Sequence, residues 1–186
     1  MSTLKLAVIV GSARRESINR RLAQALIGLA GTRAAADIIR IDDLPLFNQD
    51  LEAERPAAVE RFAQAMRSAD AVLIVTPEHN RSIPALLKNA IDWGSRPKAH
   101  SVWAGKVVAI TGASPGAIGT ALAQQHLRQI LGTLGSVVPG GESYISFKPD
   151  LIDANDHIND EGSRVRLQAF VDGFLDLAER LHPASA

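Results

Sequence analysis

The chain has 186 residues, with 20 Lys and Arg against 20 Asp and Glu, so it carries no formal net charge and lacks the basic footprint of a nucleic-acid binder. It equally lacks the acidity of a soluble electron carrier that docks on basic partners. Cysteine is absent, which excludes disulfides, thiolate nucleophiles, iron–sulfur clusters and thiolate zinc sites, so any redox chemistry must come from a bound organic cofactor.

In chain order, the first element is the apolar run "LKLAVIV" over residues 4–10, in which only Lys5 is charged. It is too short to span a membrane and its basic residues follow it, so a cytoplasmic protein without a membrane partner is expected. Ile18, Leu22, Leu26 and Leu29 then recur at helical spacing. "ADIIRI", residues 36–41, reads as a second strand, and after Pro56 a stripe of Val59, Phe62, Met66 and Ala69 reads as a helix with a favourable first-turn proline. "AVLIVT" (71–76) and "KVVAIT" (106–111) read as strands, and helices are expected from Ile83 to Trp93 and from Ile118 to Leu134. A weaker strand lies within 135–147, broken by Pro139, and Leu167, Phe170, Phe174, Ala178 and Leu181 mark a last helix.

The first, third and fourth strands are nearly continuous apolar runs, as expected of strands covered by helices on both faces. Five β-α repeats with right-handed crossovers predict one α/β domain over residues 1–186, a doubly wound, five-stranded parallel sheet in the order 2-1-3-4-5. The acid-rich stretch from Lys148 to Gly162 fails the spacing of a calcium loop and reads as a solvated loop before the last helix. No metal site is expected.

In such a sheet ligands sit beyond the carboxyl ends of the strands, where strand order reverses. The loop there is "GSARRESIN", Gly11 to Asn19, and its single glycine excludes the three-glycine dinucleotide fingerprint. Ser12, Ser17 and Asn19 instead offer side-chain hydrogen bonds, Arg14 or Arg15 offers charge, and the following helix offers free N–H groups and a positive dipole end. That set suits a terminal phosphate monoester. Two further loops leave the same end of the sheet: Pro77, Glu78, His79 and Asn80 after the third strand, and "GASPGAIG" after the fourth. Backbone N–H groups in these loops suit the polar edge of a flat heterocycle, and a phosphate at one end with such a ring at the other describes FMN.

"GASPG", Gly112 to Gly116, also fits the nucleophile elbow of hydrolases, with Asp150 or Asp153 and His157 following in hydrolase order. The elbow needs a backbone N–H on the residue after the serine, and Pro115 has none. Asp42 and Asp43 read as turn residues rather than ribose ligands, because the glycine fingerprint is missing.

Three motifs in order, G-S-x-R-x-x-S-x-N at Gly11 to Asn19, P-E-x-N at Pro77 to Asn80 running into "SIPALLKNAIDW", and S-P-G at Ser114 to Gly116, resemble the NADPH-dependent FMN reductase family over about three quarters of the chain. That family comprises flavodoxin-like reductases of quinones, chromate and azo dyes. The resemblance implies that Ser12, Arg14, Ser17, Ile18 and Asn19 hold the FMN phosphate, that Pro77, Glu78, His79 and Asn80 line the ring edge, and that Ser114 and Gly116 close its other side. The chain departs from the family pattern at His79, where Tyr is usual, and at Leu122, where Arg is usual. Leu86, Leu87, Ala90 and Ile91 form a wide apolar face that would suit a homodimer or homotetramer.

The activity implied is transfer of hydride from NADPH or NADH through FMN to a small-molecule acceptor: a quinone-like compound, an azo compound, a metal oxyanion or a free flavin. No catalytic side chain is required, because the cofactor carries the chemistry. The alternatives are a flavodoxin-like carrier that oxidises no nicotinamide, and a binding or scaffold protein on the same fold without flavin.

Overall fold

The computed structural model describes residues 3–182. Its central strands are β1 (Leu4–Val10), β3 (Ala71–Val75) and β4 (Val107–Ser114), and its edge strands are β2 (Ala34–Ile38) and β5 (Tyr144–Ser146). All pairings are parallel, in the order β2-β1-β3-β4-β5. The helices are α1 (Ile18–Ala30), α2 (Ala57–Ser68), α3 (Ala85–Gly94), α4 (Ala121–Thr133) and α5 (Glu161–Leu181).

Side chains alternate across a strand, so an apolar run feeds two cores at once. Leu6, Val8, Leu73 and Val75 meet α1 and α5 through Leu22, Leu26, Phe174 and Leu175. Ala7, Ile9, Val72 and Ile74 meet α2, α3 and α4 through Phe62, Met66, Leu87, Ile91 and Leu127. Every residue of β3 is buried, which explains why its sequence shows no polar alternation.

Several boundaries differ from expectation. The second strand pairs two residues earlier, Leu4 with Ala34 through Val8 with Ile38, because its register on β1 decides its length. The fifth shrinks to three residues: Val137 makes one isolated bridge to Val107, and paired structure resumes only after Pro139 and Gly140–Gly141. The fourth helix begins at Ala121, leaving Ile118 exposed in the preceding turn. On α3, Leu87, Ala90 and Ile91 lie in the core, and the half-buried Leu86 packs against it. No helix among the described residues is long and apolar enough to cross a membrane.

Asp160 caps α5, accepting from the Ser163 N–H at 2.7 Å, and Asp43 takes a two-pronged contact from Arg61 at 2.8 and 2.9 Å. Hydrogen bonds from Ser163 and Arg61 respectively hold these carboxyls below the usual carboxylate range. Groups depressed in the folded state stabilise it above their unfolded values of about 4 and lose that contribution as pH falls through the folded values. Urea midpoints are therefore expected to be flat from about pH 5 to 7 and to drop below about pH 4. Asp160→Asn with Asp43→Asn should make the acid limb shallower, and an unchanged limb would show that these contacts are not the acid-sensitive ones.

Candidate active site

β1 and β3 end at one level, Val10 paired with Val75, and β4 passes Thr111 at that level and runs on to Ser114. Their outgoing loops therefore leave side by side where the strand order reverses. The level is held by close packing: Gly11 N–H donates to the Val75 carbonyl at 2.9 Å, and Thr76 N–H to the Thr111 carbonyl at 3.0 Å. A Cβ on Gly11 would lie 2.5 Å from Thr76 Oγ1, and one on Gly112 would lie 1.9 Å from the Thr76 carbonyl oxygen. Only glycine fits either position.

In the first loop, Ser17 is buried and N-caps α1, its Oγ accepting from Arg20 N–H at 3.3 Å. The N–H groups of Ile18 and Asn19 start the helix and have no intrahelical acceptor available to them. No acidic residue stands in that first turn. Ser12 is half-buried, its Oγ accepting from Arg14 N–H at 3.3 Å. Arg14 and Arg15 are exposed, and neither forms an ion pair among the described residues. Serine hydroxyls, helix-start N–H groups and uncommitted guanidinium groups, with no carboxylate in the first turn, form a donor set that fits a phosphate monoester.

Asn19 has a different task. Its side chain, 1% exposed, donates from Nδ2 to the Ala113 carbonyl at 2.9 Å and accepts on Oδ1 from the Ala113 N–H at 2.8 Å. It spans 94 residues of sequence to clamp the start of α1 to the end of β4. Its side chain holds the first loop in place and does not extend from it.

In the second loop, Pro77 is half-buried and Glu78 turns away from solvent, its side chain 8% exposed. Glu78 Oε2 accepts from Leu122 N–H at 2.9 Å and Ala123 N–H at 3.2 Å, so its carboxylate caps α4. Arg81 Nη1 stands 3.6 Å from Glu78 Oε1. His79 and Ser82 exchange backbone hydrogen bonds at 3.0 and 2.9 Å around a two-residue turn, with Asn80 at φ 51° and Arg81 at φ 64°. Asn tolerates that left-handed backbone, whereas Arg81 occupies a position where glycine is usual. His79 and Asn80 are exposed at the tip.

In the third loop, Ser114 Oγ donates to the Gly119 carbonyl at 2.6 Å, closing the turn on itself. Gly116 is exposed, and a Cβ there would meet nothing nearer than Ser114 Oγ at 3.6 Å. Gly119, at φ 58°, is the constrained glycine, because a Cβ on it would lie 2.8 Å from Ile145 N. Ser114 thus orders the loop, and the hydrolase reading has no base beside it: His157 instead faces Asp153 at 3.5 Å. Asp153 Oδ1 accepts from the backbone N–H of Asn155 and His157, which organises the acidic stretch as a turn. Asp43 pairs with Arg61 and Asp42 with Arg40 at 2.8 Å, as turn residues do.

Sequence reasoning passed over Thr76, Thr120 and Gln124, which are buried: Gln124 Nε2 donates to Thr120 Oγ1 at 3.0 Å and to the Ser143 carbonyl at 2.9 Å, tying α4 to the segment before β5, and Thr76 Oγ1 donates to the Pro77 carbonyl at 2.9 Å. The Gln124 contact to Ser143 crosses 19 residues of sequence, and no local signal marks it. Gly112 was visible only as part of a serine motif, although a glycine late in a buried strand signals close backbone approach.

Asn19→Ala is expected to leave two buried backbone groups of Ala113 unpaired and to cost about 2–4 kcal/mol of stability in urea unfolding. Ser17→Ala, which removes only the helix cap, should cost about 1 kcal/mol. Equal losses in the two variants would contradict the clamp.

The sequence pattern of the NADPH-dependent FMN reductase family matches residues 4–150. A 2-hydroxy-1,4-benzoquinone reductase of Burkholderia sp is 49% identical over 172 residues, 92% of this chain and 94% of that protein. A quinone reductase of Pseudomonas putida is 50% identical over 171 residues, 91% of each. The solved structure of FerB, a flavoenzyme NAD(P)H:(acceptor) oxidoreductase from Paracoccus denitrificans, superposes with a TM-score of 0.93 at 42% identity, covering 96% of this chain and 98% of that one. With its doubly wound sheet and the three loops gathered at its switch point, the chain belongs to the NADPH-dependent FMN reductase family: it is a flavodoxin-like oxidoreductase that uses FMN as cofactor and NAD(P)H as electron donor.

Proposed function

We propose that the enzyme delivers electrons from NADPH or NADH to a quinone-like acceptor, acting as a cytoplasmic homodimer or homotetramer. The observation that carries the reading is the first loop, whose donor set suits an anion and which leaves the same sheet end as two further polar loops. The relatives named for quinone reduction support the choice of acceptor class.

When bound, FMN supplies the hydride and electron transfer. The chain's own residues bind and orient. Arg14, Ser12 and the N–H groups of Ile18 and Asn19 hold the phosphate, with Ser17 capping α1 behind them. Asn19 acts as a positioning residue, keeping that loop in step with β4. Glu78 is a positioning residue as well: its carboxylate pins the ring-edge loop to α4 and is balanced there by two N–H groups and the helix dipole. Pro77, His79 and Asn80 then present the ring edge, while Ser114 holds the facing turn so that the backbone near Gly116 lies open to the ring. None of these groups is placed as a nucleophile or an obligatory proton donor.

Protein incubated with FMN and desalted should keep one equivalent of the flavin and lose its yellow colour anaerobically on addition of NADPH or NADH. Initial rates with a benzoquinone acceptor should give parallel double-reciprocal lines, because donor and acceptor alternate at one site. Retained colour that no nicotinamide bleaches would favour a carrier, and no retained flavin would sink the reading. Arg14→Ala should raise the FMN Kd about tenfold, equivalent to about 1.4 kcal/mol, with thermal stability unchanged because the side chain is exposed.

A further inference from the structure

The turn that carries His79 and Asn80 is built against local preference. His79 and Ser82 exchange two backbone hydrogen bonds across it, and both residues between them, Asn80 at φ 51° and Arg81 at φ 64°, lie in the left-handed region. A two-residue turn of that hand favours Asn-Gly, so Asn80 suits its place and Arg81 does not. A residue with a Cβ stays in such a conformation only where its surroundings over-determine it.

The surroundings that do so belong to α4. Before the turn, Glu78 Oε2 accepts from the N–H groups of Leu122 and Ala123 at the start of that helix. After the turn, Ser82 Oγ lies 2.9 Å from His126 Nδ1, about one helical turn further along α4. Both feet of the turn therefore stand on one helix, which Leu127 and Leu131 anchor in the core. Arg81 itself adds little, since its guanidinium is 3.6 Å from Glu78 Oε1 and its side chain is 68% exposed. The Ser82 contact does not depend on the charge of the imidazole. Neutral His126 can accept the Ser82 hydroxyl on Nδ1, and the imidazolium can donate to Oγ.

We propose that His126 is a positioning residue for the flavin ring: through Ser82 it holds the turn in the shape that presents His79 and Asn80 to the ring edge. The inference rests on the assignment of residues 77–80 to that edge.

Amide hydrogen exchange of the full chain, followed by NMR without flavin, tests the brace. In His126→Ala the His79 and Ser82 N–H groups should exchange about fivefold faster, as expected for the loss of one hydrogen bond. The Leu127 and Leu131 amides should be unchanged and the urea midpoint should not fall, because His126 is exposed. His126→Asn, which keeps a polar atom near the Nδ1 position, should restore slow exchange. With FMN, His126→Ala and Ser82→Ala should each raise the flavin Kd about fivefold and shift its visible bands, and the double variant should add nothing further. Unchanged exchange in His126→Ala, or Kd effects that add in the double variant, would overturn the proposal. Faster exchange with the flavin Kd and spectrum unchanged would instead remove residues 77–80 from the ring edge, and the positioning role with them.

Discussion

Asn19 bridges the first turn of α1 and the last residues of β4, offering its amide to both backbone groups of Ala113. Those groups are buried beyond the end of β3, whose pairing with β4 stops at Val75 with Thr111, so without Asn19 they would pay the full cost of an unpaired polar group in a dry interior. The same contact fixes how far α1 leans over the sheet. Around it Thr76, just past β3, stands so close to the end of β1 on one side and to β4 on the other that only glycine is admitted at Gly11 and Gly112. The loops that would hold the two ends of one flavin are thus parts of a single packed layer.

Helix charge divides the work at that layer. α1 and α4 both follow strands that end there, so both present positive N-termini at the same end of the sheet. The α4 terminus is closed by Glu78, a carboxylate from another loop. The α1 terminus has no acid in its first turn and is preceded by Arg14 and Arg15. One helix start is used to lock a loop, and the other remains available to an external anion. The elements behind them are braced in the same way: Arg33 pairs with Asp172, Asp176 and Glu179 of α5, and Arg21 donates to the carbonyls of Ile152 and Asp153.

The fold was largely legible because burial on both faces leaves a clear trace: the apolar runs at residues 4–10, 71–76 and 106–111 became the inner strands β1, β3 and β4, the last extended to Ser114. The edges were less legible. β2 and β5 are bounded by pairing with a neighbour, which the residues of "ADIIRI" and "GSVVPGGESYISF" do not encode on their own. The apolar face of α3 illustrates the same limit, since Leu87, Ala90 and Ile91 read equally well as core or as subunit contact until the sheet beneath them is in view.

By itself the sequence determined that this is a charge-balanced α/β chain without cysteine, with a loop of serines and arginines after its first strand and three motifs in family order. Composition, periodicity and local motifs carry those facts, since each depends on residues close together in the chain. Only the tertiary structure decided what individual polar side chains do. Asn19 shares a motif with Arg14, and Glu78 shares one with His79, yet Asn19 and Glu78 bind backbone on distant elements while Arg14 and His79 remain exposed; Ser114 closes its own turn. The physical reason is that a hydrogen bond is satisfied by whichever group folding brings within about 3 Å, and partners 44 or 94 residues away leave no mark on local sequence.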